Sequence, residues 1–103
     1  MREESFTRLP AEIVEYAERE HPQVPIGEFL ERALRRVGTS SAAEQKRLIA
    51  LGLPYTNDLA GWVRRPYSIE RGLWDGFADI VEKRKEHPGA MLAGSVMVEI
   101  GMS

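Results

Sequence analysis

Ile26, Phe29, Leu30, Ala33, Leu34 and Val37 recur at i, i+3, i+4, i+7, i+8 and i+11, the most complete helical period in the chain, and predict an amphipathic helix over 26–37. Arg35 and Arg36 fall in its last turn, where cations complement the helix dipole, and Gly38 is placed to end it as a left-handed residue. Upstream, Ile13, Val14 and Ala17, with Tyr16 flanking, draw a narrower stripe on a helix from Pro10 to about Glu20. Glu12, Glu15, Glu18 and Glu20 load its other sides with negative charge. Pro10 suits the first turn, where its missing N–H has no partner to lose, and His21-Pro22 stops the helix. Residues Glu4 to Leu9 precede it as a short extended segment.

The second half is patterned less sharply. Ser41 with Glu44 three residues on reads as a capping box for a third helix, Ala42 to Leu51, closed by Gly52 and Pro54. A short fourth helix is expected over Asp58 to Arg65, ahead of Pro66. Ser68 is placed to cap a fifth, Ile69 to Lys85, whose Ile69, Leu73, Trp74, Phe77, Ile80 and Val81 make one wide apolar face. From Ser95 to Met102, Val96, Val98 and Ile100 alternate with Met97 and Glu99, which predicts a short terminal strand. The fold expected is mainly α: four to five short helices with short strands at the two termini. No internal repeat shows apart from Glu-His-Pro at 20–22 and 86–88, read as two copies of one helix-stop chemistry.

Length makes this one small domain over 1–103, with 43% apolar and 29% charged residues, the balance of a chain that folds. A net charge of −2 supplies no global drive toward nucleic acid, so any such contact needs a local basic patch. The absence of cysteine excludes disulfides, thiolate catalysis and cysteine-ligated zinc. No apolar run approaches the roughly 20 residues of a membrane helix, and the start, Met1-Arg2-Glu3-Glu4, is too acidic for a signal peptide. A cytoplasmic protein without a membrane role is the expectation.

Phe6-Thr7-Arg8-Leu9-Pro10-Ala11-Glu12-Ile13-Val14, followed by Gly27-Glu28-Phe29-Leu30-Glu31-Arg32-Ala33-Leu34, resembles the ribbon-helix-helix family of small DNA-binding regulators and antitoxins. The resemblance spans 1–38 and leaves 39–103 as a helical half for a partner or an effector. It implies a homodimer whose two N-terminal strands pair into one antiparallel ribbon that enters the major groove, alternate side chains reading base edges. Glu4, Phe6 and Arg8 would then face the groove, and the backbone N–H groups of Ile26 and Gly27 would meet a phosphate. The chain departs from the family in placing polar Ser5 and Thr7 toward the core and Phe6 toward the DNA, and in carrying Pro25 and Gly27 where small polar residues are usual.

Other candidate chemistry is sparse. Arg64-Arg65-Pro66-Tyr67 joins two guanidiniums to an aromatic ring in an expected loop, a composition that suits phosphate contact and base stacking, but it reads more simply as a solvated helix end. Lys83-Arg84-Lys85 reads as the favourable charge at a helix C-terminus. His21 and His87 have no companions at metal-ligand spacing and no acid or nucleophile placed to work with them, so neither a metal, a cofactor nor an enzyme is expected. Trp62, Leu73, Trp74 and Phe77 are the candidates for a protein contact or an oligomer interface. Two functions stay open: a small DNA-binding regulator or antitoxin, and a protein-interaction adaptor with no nucleic-acid role that docks through the aromatic face.

Overall fold

A computed structural model describes residues 2–84 and 87–102. The extended segment at the start is a nine-residue strand, β1 (Arg2–Pro10), whose Thr7 and Leu9 turn inward while Glu4, Phe6 and Arg8 stay exposed. Pro10 ends it and leads into α1 (Ala11–Glu20), with Ile13, Val14 and Ala17 buried as the stripe predicts. The helix with the strongest period is α2 (Ile26–Thr39), which buries Phe29, Leu30, Ala33, Leu34 and Val37. It does not stop at Gly38. Thr39 Oγ1 donates to the Arg35 carbonyl at 3.2 Å and Gln45 Nε2 to the Val37 carbonyl at 2.9 Å, so side chains satisfy the last carbonyls and no left-handed glycine is needed. Next comes α3 (Ala42–Gly52), capped by Ser41 Oγ, which accepts the Glu44 N–H at 3.2 Å. Glu44 does not return the bond and instead reaches Arg36 at 3.1 Å.

Three expectations for the second half are corrected. Residues 58–65 are not a helix: two 3-10 turns, Leu53–Asn57 and Leu59–Gly61, run into a second strand, β2 (Trp62–Glu70). Pairing with β1 decides the conformation of Val63, Tyr67 and Ile69, all residues that suit a half-buried strand, and Pro66 is tolerated because a two-stranded ribbon leaves an open edge for its missing N–H. The following helix therefore starts later than Ile69. Arg71 and Gly72, the latter at φ +93°, turn the chain into α4 (Leu73–Arg84), and the expected end at Lys85 lies outside the described residues.

The terminal strand is a helix. Residues 95–100 belong to α5 (Pro88–Ile100), whose unbroken run from Ala90 to Met97 is buried. A helix buried on every side has no polar face to give it an amphipathic period, and its apolar residues then mimic alternation by chance. Gly101, at φ +79°, caps its end. The described residues are thus mainly helical, with five helices and one antiparallel two-stranded sheet among them, the second strand lying at 62–70.

The order β1-α1-α2 recurs as β2-α4-α5, with α3 and the 3-10 turns between them. At one constant offset Leu9 corresponds to Ile69, Ile13 to Leu73, Val14 to Trp74 and Ala17 to Phe77; the first pair holds the same place in its strand, and the other three keep the same spacing along the helix that follows. The packing follows the same exchange: α2 lies against α5, α1 reaches α5 and α4 reaches α2. One core runs through both halves, from Leu9 and Leu30 to Ile69, Met91 and Val96. The boundary at residue 38 consequently separates no packing unit, and a repeat that the sequence reading did not find is the main feature of the architecture. Glu-His-Pro is not one chemistry used twice. His21 follows α1 and its Nε2 lies 2.9 Å from the Ile100 carbonyl, whereas His87 precedes α5 and its Nδ1 accepts the Ala90 N–H at 3.2 Å. Glu86 lies outside the described residues.

Candidate nucleic-acid interface

Alternation along the ribbon sends Glu4, Phe6 and Arg8 of β1 and Arg64, Pro66 and Ser68 of β2 to the outer face, all exposed. The register sets Glu4 opposite Ser68, Phe6 opposite Pro66 and Arg8 opposite Arg64. Phe6 is 56% exposed, and the Arg64 guanidinium carbon sits 4.7 Å from its ring centroid, a cation–π contact that orders the arginine without neutralising it. Among the described residues Arg8 makes no hydrogen bond or ion pair. Two like charges directly opposite one another, with no carboxylate between them, destabilise a ribbon. The stretch 64–67 is strand and not loop, so Arg65 falls on the inner side opposite Thr7 and Tyr67 is buried. The combination of two guanidiniums and a ring is therefore divided between two faces.

The far end of the ribbon is clamped to α2. Glu31 is 7% exposed and pairs with Arg2, while its Oε1 accepts the Glu70 N–H at 3.0 Å. Arg2 also donates to Ser68 Oγ at 2.9 Å, and Arg35 bridges Glu31 to Glu70. A nearly buried carboxylate satisfied by guanidiniums and a backbone N–H fixes the angle of the ribbon on the helix pair. Sequence reasoning missed Glu31; it sits one turn after Gly27 at the edge of the α2 apolar stripe, and that flanking position was the available signal.

Ile26 and Gly27 occupy the first turn of α2, where Pro25 supplies no side-chain cap. Gly27 packs against β2, since a Cβ there would meet the Ser68 carbonyl and Tyr67 Cβ at 3.6 Å. The cleft beside it, about 730 Å³, is lined by Arg2, Glu18, His21, Glu28, Glu31 and Tyr67. Its arginine is already bound to Glu31, so the carboxylates oppose an anion that the helix dipole would favour. The Tyr67 hydroxyl is buried with no hydrogen-bond partner among the described residues. Burial raises its pKa, Arg65 works against that rise, and Glu18 adds to it.

The aromatic candidates gather on the other side of the ribbon. Trp62 opens β2 and its Nε1 donates to the Tyr55 carbonyl at 2.9 Å. Trp74 and Phe77 meet edge to face at 5.9 Å, with Phe77 buried. Trp62, Trp74 and Phe77 line an open groove of about 390 Å³ with Phe6, Arg8 and Leu92, while Leu73 packs against the core and is not part of it. Among the described residues no three metal-ligating side chains come together, and no helix is long and apolar enough to cross a membrane. No family model, curated protein or solved structure matches the chain.

Proposed function

We propose that this protein is a small DNA-binding regulator whose β1–β2 ribbon enters the major groove, as the ribbon-helix-helix resemblance implies for paired strands. The observation that carries the reading is the Arg8–Arg64 pair: two guanidiniums directly opposite one another on the exposed face of the ribbon, neither in an ion pair among the described residues, where stability alone favours opposite charges. A two-stranded ribbon fits the width of a major groove, and an arginine there can bond both O6 and N7 of a guanine. One chain supplies both strands, so the ribbon does not call on a second protomer. Net charge of −2 makes the interaction local, and the acidic α1 keeps the rest of the surface from holding DNA indiscriminately.

Fluorescence anisotropy with labelled duplex DNA tests it. Arg8→Ala should cost about 1–3 kcal/mol of binding free energy, while Arg47→Ala, on the exposed side of α3, should leave the affinity unchanged. No binding by the wild type at low salt, where the phosphate contribution is strongest, would remove the DNA reading. The groove lined by Trp62, Trp74 and Phe77 favours a second reading, a protein-interaction module; because Phe6 and Arg8 also line it, an antitoxin would hold its protein partner and DNA on overlapping surfaces.

A further inference from the structure

We infer that a single chain reads one asymmetric DNA site, with its guanine contacts confined to one half of that site. The inference rests on the DNA-binding reading above and concerns which sequences the ribbon accepts. The offset that aligns the two halves along the chain makes Phe6 the counterpart of Pro66, and these two are also each other's cross-strand partners. The approximate two-fold axis of the ribbon therefore passes through the Phe6–Pro66 pair. About that axis Arg8 corresponds to Ser68 and Arg64 corresponds to Glu4, so no outward position has a chemical equal on the other strand.

Recognition follows from where the charges fall. Arg8 and Arg64 are cross-strand neighbours and lie together on one side of the axis; Glu4 and Ser68 lie together on the other. Two strands of identical sequence would place the same side chains over both halves and read an inverted repeat. Here one side offers Arg8 and Arg64, whose preferred partner is guanine, and the other offers the Glu4 carboxylate, which accepts from the amino group of cytosine, beside a Ser68 hydroxyl bonded by Arg2, whose guanidinium is itself paired with Glu31. Phe6, 56% exposed on the axis, presents an apolar ring suited to a thymine methyl between the two halves.

Repeated selection of bound duplexes from a randomised pool, followed by light scattering of the complex, decides the matter. The expected motif lacks a dyad, carries guanines in one half, and is bound by one chain. Arg8→Ala and Arg64→Ala should each relax sequence preference in that same half. The double variant Glu4→Arg/Ser68→Arg equalises the two sides and should add guanines to the second half of the selected motif. A palindromic motif held by two chains, or relaxation in opposite halves by the two arginine variants, would overturn the inference while leaving DNA binding intact. Failure of the wild type to enrich any duplex, together with absence of binding at low salt, would remove the DNA-binding reading itself and the inference with it.

Discussion

The two strand-helix-helix halves use the same arrangement for different ends, and the contrast lies in their second helices. Helix α2 keeps a polar face: Glu28, Arg32 and Arg35 are exposed, and one stripe from Phe29 to Val37 supplies the core. Helix α5 has almost no polar surface from Ala90 to Met97, because α3 covers the side that its counterpart leaves to solvent. An inserted helix has turned one half of a near-symmetric module into its interior. The ribbon shows the same divergence, with Arg8 and Arg64 on one side of the axis and, on the other, Glu4 and Ser68 beside an Arg2 that is paired with Glu31.

The sharpest way to break that comparison is at the crossing of α3 and α5. A Cβ on Gly94 would lie 1.7 Å from the Leu48 carbonyl oxygen, and one on Gly52 would lie 1.9 Å from the Ala90 carbonyl oxygen. Backbone meets backbone there and neither can yield like a flexible side chain. Gly94→Ala should destabilise by about 3 kcal/mol or more, read as the urea midpoint, which is a large share of the stability of so small a domain. Gly38→Ala in the exposed part of α2, where nothing lies within 4 Å, should instead stabilise by about 0.5–1 kcal/mol. Equal effects at the two sites would show that α3 does not press on α5.

The second test is of α2 itself. Phe29 is 3% exposed and its ring lies 5.0 Å from that of His21, which ties the α1–α2 connection to the end of α5. Phe29→Ala should cost about 3–5 kcal/mol, and a melting temperature within a degree or two of wild type would mean that this face is not the buried one.

These two sites also mark what the sequence made legible. Phe29 stood in a helix whose period is set by the contrast between a buried and a wet side, so its burial was readable from spacing alone. Gly94 stood in a run with no such contrast, and its neighbours Val96, Val98 and Ile100 imitated a strand. Residues 58–65 failed for a different reason: β2 exists because β1 lies beside it, a pairing across more than half the chain that no local pattern encodes. The outward placement of Phe6 and Arg8 could be read from alternation and the resemblance. That Arg64 faces Arg8 could not, since it depends on the register of that distant pairing. The repeat escaped because Leu9 with Ile69 and Ala17 with Phe77 share burial and not identity, while the histidines of the visible Glu-His-Pro copies play unlike parts, His21 after α1 and His87 before α5.

The smallest expected effect comes from Tyr67, a residue on the inner face of β2 whose hydroxyl is buried without a partner among the described residues. Removing an unpaired hydroxyl forfeits no hydrogen bond, so Tyr67→Phe should be neutral or stabilise by up to about 1 kcal/mol at pH 7. Alkaline pH sharpens the case. Burial, helped by Glu18 and opposed by Arg65, raises the phenol's pKa in the folded chain above its unfolded value. The unfolded state then loses its proton first, so the stability associated with the neutral phenol is complete below about pH 10 and falls as the pH rises through the folded value. Wild type should lose stability over that range faster than Tyr67→Phe, with Tyr55, also raised chiefly by burial, contributing the same loss to both proteins. Urea midpoints measured from pH 8 to 11 that ran parallel for the two proteins would show that the Tyr67 hydroxyl is solvated after all, and the inner face of β2 less closed than the inner face of β1.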